Sequence, residues 1–157
     1  MKLIREGRFG SPKQYKTGAV VSTYPKPLLV INFDEAGLDV IKDPVLYIKP
    51  TEIERYAKMK VEELPPIIAI DFCDIQRKEL TVTYQATASS TAFEVFVQFT
   101  NAFIKLPCPW KTVVVDSITG LTDQILSHIA KTNFAAMADA RKWAGNVGLK
   151  MGQIVGV

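Results

Sequence analysis

The chain has 157 residues, 48% of them hydrophobic and 22% charged, which suits one domain with a buried core. A formal net charge of +3 permits contact with nucleic acid but does not argue for it. No apolar run reaches the length of a membrane span, and the opening Met-Lys-Leu-Ile-Arg-Glu-Gly-Arg is charged where an export signal needs an apolar stretch. Cys73 and Cys108 form neither a disulfide framework nor a metal-ligand spacing, so they read as reduced thiols in a cytoplasmic protein without a membrane partner.

Residues 3–9 read as a short first strand, although Arg5, Glu6 and Arg8 make it a poor buried one. Gly10-Ser11-Pro12-Lys13-Gln14-Tyr15-Lys16-Thr17-Gly18 follows and holds most of a P-loop, with Gly10, Lys16 and Thr17 on the first glycine, the lysine and the hydroxyl of that pattern. Its chemistry requires these residue types. A glycine turn aims backbone N–H groups inward at an anion, and the following helix adds its positive N-terminus. The lysine reaches the β/γ-phosphates, and the hydroxyl ligates Mg²⁺. Tyr15 stands where the pattern has its second glycine, placing a ring where backbone ordinarily approaches phosphate. It either obstructs the nest or stacks on a base or neighbour, with Lys13 as an added cation. The same residues also fit an ordinary Gly-Ser-Pro turn ahead of a solvated helix.

Lys16–Thr23 predicts a short helix, stopped by the prolines of Tyr24-Pro25-Lys26-Pro27. The apolar run Leu28–Phe33 suits a strand covered on both faces, and Asp34 and Glu35 follow at its carboxyl end, where open α/β sheets bind ligands. Val45–Ile48 reads as a short strand, Thr51–Lys60 as helical and Glu62–Pro66 as a loop. Ile67–Phe72 and Leu80–Tyr84 read as two strands joined through Asp74–Lys78, an antiparallel hairpin at a sheet edge.

Ser89-Ser90-Thr91 supplies N-cap candidates for a helix over Ala92–Lys105, whose Phe93, Phe96, Val97, Phe99, Phe103 and Ile104 form a core-facing stripe rather than a platform for stacked bases. Trp110–Ser117 then carries a β-branched apolar run ending in Asp116, as a Walker B strand does when it holds a carboxylate near a phosphate-bound Mg²⁺. The competing role for Asp116 is to cap the next helix. Gly120–Asn133 and Ala136–Val155 read as two helices, with His128 at a surface or boundary position on the first.

Taken together, the chain resembles the RecA-like P-loop ATPases, and more narrowly the phage-encoded AAA-family or single-strand-annealing RecA-like proteins. The likeness lies in Gly10–Gly18, in Pro25–Asp34, in Trp110–Leu121 with Val114-Val115-Asp116-Ser117 at its centre, and around Arg141-Lys142-Trp143-Ala144-Gly145. It implies one RecA-like P-loop NTPase core over residues 1–157, an α/β fold with a mainly parallel sheet flanked by helices. The family continues into further core strands bearing a polar sensor, whereas this chain stops at Val157. Position by position, the resemblance implies a nucleotide site at Gly10–Gly18, with Lys16 on the β/γ-phosphates and Thr17 and Asp116 holding Mg²⁺. Glu35 would activate water, with Asp34 as its rival. The activity implied is ATP hydrolysis, weak in this chain, in phage-type DNA recombination or annealing. Its partners would be ATP, single-stranded DNA and further copies of the chain, in a bacterial or phage-infected cell. The alternative from another class is a non-hydrolysing module that keeps the fold and uses its degraded loop for structure or another anion. A nucleotide or sugar kinase would need an acceptor-binding acid or a cluster of lid arginines, and neither stands out in the sequence.

Overall fold

The computed structural model describes residues 16–34, 38, 41–72 and 92–132. The expected first strand over 3–9, the loop residues 10–15, Glu35, the hairpin segment 74–84, the cap candidates 89–91 and the helix over 136–155 lie outside those residues.

Among the described residues, four parallel strands form one sheet: β1 (Leu28–Asn32), β2 (Leu46–Tyr47), β3 (Ile67–Asp71) and β4 (Thr112–Asp116), in the spatial order β2-β3-β1-β4. The α-helices among the described residues are α1 (Lys16–Thr23), α2 (Ile53–Ala57), α3 (Ala92–Phe103) and α4 (Ile118–Thr132). The expected α/β class with a mainly parallel sheet flanked by helices is therefore present.

The apolar run of β1 is buried along its whole length because the strand has neighbours on both sides and helices over both faces. Alternation divides its side chains between two cores. Leu29 and Ile31 join Ile68 and Ile70 of β3 beneath α2, α3 and α4, which contribute Ile53, Ala57, Phe93, Phe96, Phe99, Leu121 and Ile125. Leu28 and Val30 join Ile67 and Ala69 on the opposite face, under Val21 of α1 and Leu38. Each such buried aliphatic side chain contributes about 1.5–3 kcal/mol relative to exposure.

α1 has the bounds expected from its sequence. Ser22 and Thr23 hydroxyls both donate to the Ala19 carbonyl, at 3.0 and 2.7 Å, and Pro25 then disfavours a further helical turn. Of the predicted stripe on α3, Phe93, Phe96 and Phe99 are buried, and Val97 and Phe103 pack partly buried against the same core. Ile104, past the end of the helix, is 70% exposed, while Val95, outside the stripe, is buried. Phe33, Phe72 and Phe96 meet pairwise at ring separations of 5.0–5.3 Å. The reading of these rings as core is correct.

Other expectations need correction. Ile67–Asp71 is not at a sheet edge; it lies between β2 and β1, parallel to both, as its four buried apolar residues demand. Its expected hairpin partner, Leu80–Tyr84, is outside the described residues. The strand ending at Asp116 is not fully buried, because β4 is the terminal strand of the described sheet and Val113 and Val115 are 41% and 40% exposed. Within Thr51–Lys60 only Ile53–Ala57 is α-helical, after a 3₁₀ turn at Pro50–Glu52. α3 ends at Phe103 rather than Lys105, and α4 begins at Ile118 rather than Gly120. The peptides Lys26–Pro27 and Asp116–Ser117 are cis.

Candidate functional site at the carboxyl ends of the strands

Register aligns the last residues of three adjacent strands: Asn32 of β1 is opposite Asp71 of β3 on one side and Asp116 of β4 on the other. Each is the polar residue that closes an apolar run, so in-register parallel pairing of the strands brings the three polar groups into one row. α1 begins beside the same edge. The Thr17 hydroxyl, in its first turn, donates to Oδ2 of Asp116 at 2.5 Å, joining positions 99 apart in the sequence. Thr17 and Asp116, expected to share a magnesium ion, are therefore neighbours. Lys16 lies one residue earlier, half-buried at the helix start.

Backbone contacts lock the tip of β4 against the end of β1. Phe33 N–H donates to the Asp116 carbonyl at 2.5 Å. Ser117, rather than Asp116, caps α4: its hydroxyl accepts from Gly120 N–H at 3.1 Å, while its carbonyl accepts from Leu121 N–H at 3.0 Å. The Asp116 carboxylate is thereby released from the capping role that sequence alone left open. Gly120 is required by close approach, since a Cβ there would lie 2.3 Å from the Phe33 carbonyl oxygen. This contact fixes where α4 leaves the sheet.

Sequence reasoning missed Asn32 and Asp71. Asn32 is 2% exposed, and its amide donates to the Asp34 carbonyl at 2.8 Å and to Oδ1 of Asp71 at 3.2 Å, while its side-chain oxygen accepts from Asp34 N–H at 3.2 Å. A buried amide satisfied in this way holds the turn after β1 and the carboxylate of β3 in fixed relation. The available signal was the one that identified Asp116, a polar residue closing a buried apolar run. Asp34, the rival to Glu35, is exposed beyond that turn. His128 sits at the α3–α4 boundary, 3.7 Å from Glu94 and against the Phe93 ring, the boundary position expected.

Comparison of the chain with protein-family models, curated proteins and solved structures gives no match. The site therefore rests on its own geometry. A cleft of about 320 Å³ runs beside α1, lined by Gly18, Ala19, Val21, Ser22, Ile41, Lys42 and Asp43. Neither Thr17 nor Asp116 lines it, so the cleft and the row of strand-end residues are separate features. Among the described residues no three His, Cys, Asp or Glu side chains gather as a metal site. The Thr17 hydroxyl and the Asp116 carboxylate are hard oxygen donors, of the kind Mg²⁺ takes beside ligand phosphates. Thr17 and Asp116 are the two oxygens that would hold it. Among the described residues no helix is long and apolar enough to cross a membrane.

Proposed function

We propose that this chain binds Mg-ATP over the carboxyl ends of β1 and β4 and is the core of a RecA-like ATPase that acts on single-stranded DNA in phage-type recombination or annealing. The observation that carries the nucleotide reading is the Thr17–Asp116 hydrogen bond. It joins the last position of a P-loop-like sequence to the tip of a Walker-B-like strand, at the edge where parallel α/β sheets bind ligands. The DNA part comes from the family resemblance alone, since a fold does not fix a function.

In this reading, backbone N–H groups of the loop before α1, those of Ser11, Lys13, Gln14 and Tyr15 among them, and the start of α1 receive the phosphates, and Lys16 supplies a charge-assisted contact to them. Thr17 and Asp116 give up their mutual hydrogen bond to hold Mg²⁺, which neutralises phosphate charge when bound. Asn32 keeps the turn carrying Asp34 in place, and Glu35 orients the attacking water. Copies of the chain associate through apolar side chains left open at the β4 side, Val113, Val115 and Ile118.

Calorimetric titration with ATP and Mg²⁺ tests the binding. Lys16→Ala is expected to lower affinity at least tenfold, and equal affinity in the two proteins removes the site. Phosphate release with and without single-stranded DNA then separates an ATPase from a non-hydrolysing module. Binding without release in either condition favours the module.

A further inference from the structure

We infer that Asp71 is a positioning residue for turnover: acting through Asn32, it holds the acidic turn after β1 in place beside the tip of β4. The effect on turnover rests on the Mg-ATP reading above, whereas the hold on the turn does not.

β1 is apolar from Leu28 to Ile31 and then places an amide, Asn32, where it is 2% exposed. Burying an amide costs free energy unless its donors and its acceptor are met. Three contacts meet them here, and together they admit one orientation of the group. The Asp34 carbonyl and Oδ1 of Asp71 are acceptors, at 2.8 and 3.2 Å, so the amide nitrogen faces both. The Asp34 N–H is a donor, at 3.2 Å, so the side-chain oxygen faces it. A carboxylate at position 32 could donate neither of the first two bonds, and an apolar side chain could make none of the three. One side chain thus grips both backbone groups of Asp34. Two of its contacts are local to residues 32–34, and the bond to Asp71 is the one that ties it to another strand.

The other side of the turn is tied to β4. Phe33 N–H donates to the Asp116 carbonyl at 2.5 Å, and the Asp116 carboxylate accepts from Thr17. The turn is therefore clamped between the two strands that flank β1, through backbone at β4 and through the Asn32 side chain at β3. Strand pairing sets Asn32 opposite Asp71 but does not aim a turn that has left the ladder. That task falls to side chains. Asp34 is exposed at the end of the clamp and immediately precedes Glu35, so both acids weighed for orienting water leave the sheet from it. Asp71 lies across β1 from Asp116, with Oδ1 engaged by Asn32, and its influence on the metal-holding pair passes through that amide.

Asp71→Ala and Asp71→Asn in the full chain test this. Asparagine keeps an oxygen that accepts from Asn32 and removes the charge, whereas alanine removes the acceptor. By NMR, the Asp34 amide should exchange about tenfold faster in Asp71→Ala and at the wild-type rate in Asp71→Asn, with the amides of β1 unchanged in both. Phosphate release at saturating Mg-ATP should fall about tenfold in Asp71→Ala, the order of loss that misplacing a reacting group by less than an ångström brings. Calorimetric affinity for Mg-ATP should stay at the wild-type value, and Asp71→Asn should retain most of the rate. An Asp34 amide or a rate unmoved in Asp71→Ala, an equal fall in both variants, or a loss confined to affinity would each overturn the inference. An equal fall would mean that the charge itself acts, and a loss of affinity alone would place Asp71 in binding. A wild type that binds no Mg-ATP or releases no phosphate overturns the proposed ATPase and the turnover role with it, even where the Asp34 amide still reports the clamp. If Asp71→Ala does not fold, Asp71→Val, a better strand former that also lacks the acceptor, is read in its place.

Discussion

Thr17 and Asp116 are in contact because Val21 packs α1 onto the sheet face and β4 pairs in register beside β1, and the neighbours of this pair set what the site can do. Tyr15 is the residue that departs furthest from a phosphate loop. An aromatic ring is a costly occupant of a position that merely tolerates obstruction, which favours a stacking or packing role. Tyr15→Gly is accordingly expected to weaken ATP binding or lower stability, measured by calorimetry and thermal melting. Tighter binding by an equally stable variant would show that the ring only obstructs the nest. Gly120 presents a sharper steric case. Its missing Cβ accommodates the Phe33 carbonyl, so Gly120→Ala must push α4 away from β1. The expected destabilisation is roughly 1–3 kcal/mol in urea titration, as for other overpacked sites. A wild-type midpoint in that variant would mean that the helix can shift freely.

At the scale of elements, stability is concentrated where α3 meets the sheet. Phe96 touches Phe33 and Phe72 edge-on, and all three rings are nearly inaccessible to solvent. Phe96→Ala should cost about 3–5 kcal/mol, with Phe96→Leu costing clearly less, both read from denaturant midpoints. A loss below about 1 kcal/mol would contradict this core assignment. The elements legible in the sequence were those with a single dominant cause: α1 between a polar start and two prolines, β1 as an unbroken apolar run, and α3 from its 3.6-residue stripe. What stayed hidden was relational. A run such as Ile67–Ile70 is apolar whether it lies at an edge or inside, and only the strand order, β3 between β2 and β1, settles it. Likewise, Asn32 looks like the end of a strand until register sets it between Asp71 and Asp116. The sequence reading starts α4 two residues late, at Gly120, and offers Asp116 as its cap, whereas the helix begins at Ile118 and the Ser117 hydroxyl accepts from Gly120 N–H.

For the whole molecule, binding and turnover separate. A phosphate cradle and a metal pair do not by themselves supply the preorganised donors that stabilise charge developing during hydrolysis. The resemblance assigns part of that task to later strands and to neighbouring subunits. Slow phosphate release, little changed by single-stranded DNA, is expected. Sedimentation should show an average mass that rises with concentration and rises less in Val115→Lys, because a charge then occupies the open apolar surface. Rapid turnover by a strictly monomeric sample, abolished by Glu35→Gln, would instead make the chain a self-sufficient ATPase.

The central claim is that Thr17 and Asp116 meet in order to hold a phosphate-bound magnesium ion. Thr17→Val keeps the side-chain shape and removes the hydroxyl, so ATP affinity measured calorimetrically with and without Mg²⁺ isolates that role. The account predicts that Thr17→Val loses about tenfold in affinity when Mg²⁺ is present, equivalent to about 1.4 kcal/mol. Without Mg²⁺ it should bind ATP as the wild type does, and Thr17→Ser should restore most of the difference. An equal loss with and without Mg²⁺, or no loss in either, would contradict it and leave the Thr17–Asp116 hydrogen bond as a structural tie between α1 and β4.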